Sequence, residues 1–474
     1  LTLNNFTLTD QNPNSTIVPP GQLSHVNVNT GYNPYGDGGF VFPPEYARLG
    51  LTGLAPSQRV SAANTYLYAA EGRSNLTIKS EVLVTKLIIP DDTKRVMGVE
   101  YLNGWNIYQT GRNTDVGNGG YGGTSGDAEY NASLAKGEGT HKVYARKEVI
   151  LCAGVFNSPH ILMLSGIGDK SELKQLGIKV KKHLPGVGKH LIENHALFAF
   201  WELDPNLVSN PVILIAMQAK STTGQQYPNF TLAFGGINNV SLESGDPFVQ
   251  KNWVGLKNPA LWSPFYRNDF DHILLDPTQP NANPVVPPSP PYFEPIIVNP
   301  SNILGMFVEQ EEDSRTEGYV KLVSKDPTVP PRIVYNHLKD PRDLQDWLDI
   351  MNTHVLPVIL ALQPSGYFTN LLFPAPADIL NPGVINFTDM SQVNQARLAN
   401  FLVNNVEGHH AAGTCKMGVE SDPLAVVDQK GRVHGVKGLR VCDYSIVPIS
   451  IYWPNGTLYV VGEKISKDIL DTYR

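Results

Sequence analysis

The run V-I-L-C-A-G, residues 149–154, constrains this chain more than any other stretch. Apolar throughout and closed by a glycine, it reads as a buried strand, and N-S-P-H-I-L-M-L-S-G-I-G follows almost at once. There Ser158 has the chemistry of a helix N-cap and Pro159 suits a first helical turn. A strand, a short turn and a capped helix form the unit in which helix amides meet a ligand at the end of a sheet. Plain packing is the alternative reading of the same pattern. A second such unit closes the chain. GVKGLRVCDYSIVPIS reads as a strand and a turn, and TLYVVGEKISKDILDTYR as a helix. Its Leu458, Val461, Ile465 and Ile469 recur three and four apart and make an apolar stripe. Thr457 is the candidate N-cap, so the first-turn amides point back toward Trp453, Pro454 and Asn455, where developing negative charge would be stabilised.

Between these units the pattern is mixed. RVSAANTYLYAAEGR, from Arg59, reads as helical, while NLTIKSEVLVTKLIIP and KRVMGVEYL alternate like strands. A literal G-x-G-x-x-G stands at Gly117, Gly119 and Gly122. Both its flanks are polar and glycine-rich, whereas a dinucleotide fingerprint needs a buried strand before it and a helix after it, so this stretch reads as a loop. From about Trp201 the composition shifts. A proline-dense stretch, DPTQPNANPVVPPSPPYFEP, separates strand-like runs such as YVKLV from the helical DLQDWLDIMNTHVLPVIL. At 474 residues the chain has room for two or three domains.

Charge excludes some partners. A formal net charge of -7 and a pI near 6.0 give no attraction for nucleic acid or an anionic membrane. No apolar run reaches the roughly 20 residues of a membrane span. The three cysteines, Cys152, Cys415 and Cys442, have the spacing of neither a zinc site nor a disulfide scaffold. Cys152 and Cys442 lie in apolar, strand-like runs and read as buried free thiols, with a Cys415–Cys442 bridge as the alternative. Asn-X-Ser/Thr sequons begin at Asn5, Asn14, Asn75, Asn131, Asn229, Asn239, Asn386 and Asn455, which together point to a secreted glycoprotein.

The string G-H-H-A-A-G-T-C-K-M-G holds the most chemistry per residue. Adjacent side chains point in different directions, so at most one of His409 and His410 faces a given site. His183, His190 and His195 gather around L-P-G-V-G, but without a set of carboxylates or cysteines for metal, so they read as packing or hydrogen-bonding groups.

Four separated strings together resemble the glucose–methanol–choline (GMC) family of FAD-dependent oxidoreductases. They are GVFNSPHILMLSGIG, LPGVGKHL, HHAAGTCKMG and the tail VVDQKGRVHGVKGLRVCDYSIVP…NGTLYVVGEK; SRTEGYVKL and NLTIKSEVLVTKL add to them. Their order and spacing match the family, and the resemblance covers essentially the whole chain. Such enzymes usually open with a strand–GxGxxG–helix unit that has no counterpart here. The chain therefore reads as the larger C-terminal portion of a flavoenzyme, with a separate N-terminal chain of the same protein as a potential partner. The resemblance implies a mixed α+β and α/β fold, with an incomplete split Rossmann-like FAD-binding domain. It implies a substrate domain built on a large antiparallel sheet flanked by helices. Residues 1–69 would be an irregular covering segment. Residues 70–195 and 401–474 would form the FAD-binding parts, and residues 196–400 the substrate domain.

The family's roles carry over position by position. Val84 would lie near the adenine of FAD, Ala153 and Gly154 beside the cofactor, and Asp443 and Tyr444 against it from the strand end. Gly456 and Thr457 would approach the isoalloxazine. His410 matches the active-site histidine, while His409 and Trp453 would line the substrate pocket. A neutral imidazole titrating near neutrality suits the removal of a hydroxyl proton as hydride leaves for flavin N5. The family usually sets a second His, or an Asn, opposite the first histidine; here the string is Y-W-P-N-G-T, and Asn455 is the candidate, displaced by one or two positions. The expected reaction is oxidation of a primary alcohol, whether sugar, aryl or aliphatic, with oxygen or a quinone as acceptor. A flavin-containing hydroxynitrile lyase and a non-catalytic family remnant are the alternatives.

Overall fold

In the computed structural model the described residues are 2–3, 6–7, 39–41, 47–48, 58–59, 62–104, 140–203, 214–219, 221, 229–237, 273–275, 296–298, 303–310, 314–357, 368–373, 395–396, 398–399, 402–403, 406, 408, 410–449 and 454–473. His409, Trp453 and the glycine-rich stretch around Gly117 lie outside them.

Two groups of elements frame the molecule. The first is a parallel pair in which Val149–Leu151 runs beside Leu439–Val441, in register from Val149↔Leu439 to Leu151↔Val441. The helix Gly154–Leu164 follows the first of these strands. Over it lies an antiparallel meander of Val82–Ile88, Gly98–Asn103 and His141–Tyr144. Leu162, Ile167, Val427, Val441 and Ile446 form the core of this part. Onto it the C-terminal helix Pro454–Tyr473 lays Leu458, Val461 and Ile469, with Ile465 fully inside, as the sequence periodicity predicts.

The second group is a six-stranded sheet. Its order is Phe368–Phe373, Ala196–Leu203, Ile303–Gln310, Phe230–Ile237, Leu214–Ala219 and Gly39–Val41, with every neighbouring pair antiparallel. The helix Pro341–Ile350 packs against it, with the fully buried Trp347 standing edge-on to Phe230. Asp340 caps that helix by accepting from the Arg342 amide, and Pro341 occupies its first position. The mixed α/β fold with a large antiparallel sheet is therefore present. Among the described residues no helix is long and apolar enough to cross a membrane.

Several local expectations need correction. The helix after V-I-L-C-A-G begins at Gly154, so Ser158 and Pro159 lie inside it rather than at its start. Ser158 still serves the helix entry, because its Oγ accepts from the Ala153 amide at 3.1 Å. Gly154 takes φ +81, a conformation that costs glycine little, which lets the turn close earlier than the capping pattern indicates. The strand is less buried than its composition suggests: Leu151 is enclosed but Ile150 is 41% exposed. The last helix starts at Pro454, which puts Thr457 in the fourth helical position rather than at the N-cap, as a proline at the first position allows. All three cysteines are free, and Cys152 is exposed and Cys442 half-exposed where burial was expected. Cys152 follows the strand on the side that opens to a groove.

Candidate active site

The segment His410–Met417 has no regular secondary structure and is held by backbone bonds to two neighbours. Ala412 and Ile192 exchange both of their amide hydrogen bonds, and the Gly188 amide donates to the Thr414 carbonyl at 2.8 Å. On the other side Cys415 and Met417 donate to the carbonyls of Ser445 and Ile446 at 2.7 and 2.9 Å. Thr414 Oγ1 donates to the Val155 carbonyl at 2.5 Å, fixing the segment to the Gly154 helix. Gly413 adopts φ +88, and a Cβ there would stand 2.4 Å from the His190 carbonyl oxygen, so only glycine fits this crossing.

His410 emerges from that clamp with its side chain 17% exposed. Its Nδ1 lies 2.6 Å from Oε1 of Glu309, a side chain with no exposure to solvent. Its backbone amide donates to Oε1 of a second buried carboxylate, Glu193, at 2.6 Å; the same oxygen accepts from the Asn194 amide at 2.9 Å. Burial pushes the Glu309 carboxyl above the usual carboxylate range, opposed by His410 and then by Asn194, both of which favour the ionised form.

Strand alternation explains the arrangement. Glu309 and Gln310 end the Ile303–Gln310 strand, and successive side chains project to opposite faces of the sheet. Gln310 Oε1 accepts from Trp347 Nε1 at 3.0 Å and contacts His195 Nδ1 at 3.1 Å. His337 stands edge-on to His195 and stacks on Tyr335, completing a polar layer between sheet and helix. Glu309, on the other face, meets His410. His195 thus has a hydrogen-bonding and packing role, and His190 pairs with Glu317 at 3.0 Å.

A groove of about 570 Å³ opens beside the Val149–Leu151 strand. Val84 and Ala153 both line it, along with Val99, Ile150, Cys152 and Asn157. Directly after Ala153 in the chain, Gly154 has no heavy atom within 4 Å of where a Cβ would stand, which leaves its backbone open to close approach. Asp443 braces this corner: Oδ2 accepts from the Gly154 amide at 3.0 Å and from Ser158 Oγ at 2.5 Å, and Oδ1 from the Ser445 amide at 2.8 Å. Tyr444 is buried in the core. Gly456 and Thr457 are half-buried in the first turn of the last helix, and Asn455 is exposed there. The structure therefore brings Val84 and Ala153 to one opening and ties Gly154, the residue after Ala153, to Asp443, while His410 has in Glu309 and Glu193 partners that the sequence pattern does not single out. Those partners left a trace in the sequence. E-N-H at 193–195 interrupts the apolar stretch from Leu191 to Leu197, and Glu309 ends an apolar strand.

Models of the GMC oxidoreductase family match residues 131–196 and 314–462. This chain belongs to the GMC oxidoreductase family. It is 32% identical over 340 residues to the glucose methanol choline oxidoreductase atC of Aspergillus terreus, covering 70% of this chain and 50% of that protein. It is 28% identical over 414 residues to the oxygen-dependent choline dehydrogenase of Cronobacter sakazakii, covering 87% and 60%. The chain thus spans roughly half to three-fifths of the length of these two relatives. Pyridoxine 4-oxidase from Mesorbium loti shares the fold, with a TM-score of 0.55 at 18% identity over 86% of this chain and 61% of that one. A formate oxidase shares it with a TM-score of 0.51 at 19% identity over 85% and 62%. The cofactor of this GMC chain is FAD.

Proposed function

We propose that this GMC chain carries the catalytic histidine and part of the cofactor site of an FAD-dependent oxidoreductase that oxidises the hydroxyl of a small primary alcohol, whether sugar, aryl or aliphatic. Oxygen or a quinone-like compound takes the electrons in turn. The observation that carries the reading is His410: a mostly buried imidazole on a rigidly clamped segment, with buried carboxylates at its ring and at its amide.

The residues at the groove fit FAD. An apolar slot beside an open glycine backbone accommodates a flat ring, and its size is that of a small-molecule site. Asp443 already occupies the Gly154 amide, so the corner favours hydroxyl donors of a ribose or ribityl chain over a phosphate. Val84 and Ala153 would hold the adenine side, while Gly154, Asp443 and Tyr444 would hold the middle of the cofactor. Gly456 and Thr457, with the N-terminus of the last helix, would stabilise negative charge on the ring system. When bound, FAD supplies the two-electron acceptor for a hydride leaving the carbinol carbon. His410 accepts the hydroxyl proton at Nε2, since Nδ1 is held by Glu309. Asn455, at the start of the last helix, is the candidate second polar contact to the substrate oxygen, with His409 and Trp453 as pocket residues.

The groove-side edge of the Val149–Leu151 strand also suits pairing with a further strand, supplied by another stretch of the same protein or by a separate N-terminal chain. Exposed Asn75 supports a secreted, glycosylated protein, whereas Asn455 in its substrate-contacting role leaves no room for a glycan. Asn229 does not support it either, because it is buried and its amide is spent on Ser221.

The test is the visible spectrum of the purified natural protein under an anaerobic panel of sugars, aryl alcohols and aliphatic alcohols. Flavin bands near ~450 nm that bleach with one of these classes support the reading. A coloured protein that bleaches with none of them sinks it, and cyanide release from a hydroxynitrile without bleaching would replace it with the lyase.

A further inference from the structure

We propose that Glu309 is a positioning residue for His410: its carboxylate holds the Nδ1–H of the imidazole, fixes the ring in one tautomer and directs Nε2 at the reacting hydroxyl. This inference rests on the reading of His410 as the proton acceptor.

Glu309 is a poor residue for stability where it stands. It belongs to a central strand of the six-stranded sheet, flanked by Ala196↔Glu309 on one side and Thr231↔Glu309 on the other. Its side chain is wholly buried, and a carboxylate withdrawn from water costs several kcal/mol unless it is paired. An apolar residue would fill such a site at less cost. What the carboxylate gains is a 2.6 Å contact with His410 Nδ1. An imidazole nitrogen bonded to a carboxylate carries its proton there, which leaves the other nitrogen as the base.

The surrounding charges act in the same direction. From the segment 189–195, Glu193 holds the His410 amide, and Asn194 lies beside Glu309. Beyond the sheet stand Gln310, His195 and His337, and behind them Arg315 with Asp343 and Asp346. His190 with Glu317 flanks the Gly413 crossing. Two buried carboxylates therefore face His410 at ring and amide, and their repulsion is relieved when the imidazole gains a proton. The arrangement is built to stabilise the imidazolium that forms as a hydroxyl is deprotonated.

The experiment uses the holoenzyme labelled with 15N-histidine, with His410 assigned from the resonances lost in His410→Asn. The wild type is expected to show a protonated Nδ1 and an unprotonated Nε2 at neutral pH. In Glu309→Gln, which keeps the shape but not the charge, the Nδ1–H preference of the His410 ring is expected to be lost, with the proton shared between the two nitrogens at neutral pH. Flavin bleaching by substrate should slow by about 10- to 100-fold with little change in KM. Glu309→Asp, which keeps the charge, should keep the wild-type tautomer. A wild-type proton on Nε2, or an unchanged tautomer in Glu309→Gln, overturns the proposal. If Glu309→Gln fails to fold, the wild-type tautomer decides alone. A wild type with the expected tautomer that bleaches with no alcohol would sink the oxidation reading and leave the Glu309 assignment standing. Normal bleaching with an unchanged His410 tautomer in Glu309→Gln would do the reverse.

Discussion

Asp443 ties the end of one parallel strand to the helix that follows its neighbour, accepting from Ser158 Oγ at 2.5 Å and from the Gly154 amide at 3.0 Å across 289 residues of chain. The bond makes the cofactor-side corner a product of two distant sequence segments. Asp443→Ala leaves the Gly154 amide and the buried Ser158 hydroxyl without their acceptor, at a cost of about 3 kcal/mol. Urea denaturation of the holoprotein should show that loss, together with reduced flavin content per folded molecule. Asp443→Asn should retain part of both. Full flavin content in the alanine variant would mean the corner is purely structural.

Gly408 leaves room for Glu193. A Cβ at that position would stand 1.9 Å from the Glu193 Cγ and 2.3 Å from its Cδ. Gly408→Ala must therefore push Glu193 away from the His410 amide. The expected result is a protein destabilised by about 1–3 kcal/mol and at least about tenfold slower in flavin reduction. Thermal unfolding and stopped-flow bleaching measure the two effects separately. Wild-type rates in a folded Gly408→Ala protein would show that Glu193 does not matter to the histidine.

Arg440 is 1% exposed and sits in the Leu439–Val441 strand. It pairs with Glu148 at 2.9 Å, donates to the Lys430 carbonyl at 2.7 Å and reaches Thr472 of the last helix at 3.4 Å. Arg440→Met removes the cation and leaves a buried carboxylate, so a loss of about 3–5 kcal/mol is expected. The double variant Arg440→Met/Glu148→Met should recover most of it, since both charges are then gone. A double-mutant cycle by chemical denaturation checks this, and additive losses would mean that the pair is not coupled.

Much of the frame was legible in the sequence because it follows from local pattern. The stripe Leu458, Val461, Ile465 and Ile469 packs as its spacing requires, and the strands Val82–Ile88 and Gly98–Asn103 fall within runs that alternate. His410 stood out because Gly413 and Thr414 follow it in a family pattern. Glu309 and Glu193 did not stand out, because a glutamate at the end of a strand reads as solvated until the sheet order places His410 against it. Pairing of this kind is set by contacts 101 and 217 residues apart in the chain. The helix starts depart from the capping pattern for a different reason. Gly154 at φ +81 and Pro454 each permit an earlier entry, which outweighed the capping chemistry of Ser158 and Thr457.

His160 supplies a prediction about acid stability. It lies inside the Gly154–Leu164 helix, 2% exposed, and burial alone lowers its pKa to about 4 from the ordinary 6.5. The folded state therefore binds this proton less readily than the unfolded chain does. Between about pH 6.5 and 4 the unfolded state gains a proton that the folded state refuses, so stability falls as pH falls through that window. Above it the contribution is fully present, and below it the loss is complete. The shift corresponds to about 3 kcal/mol. His160→Gln, neutral at every pH, removes this term. The wild type should lose about 3 kcal/mol more than the variant between pH 7 and pH 4 in urea titrations. Parallel pH dependences would mean that His160 reaches solvent and titrates normally.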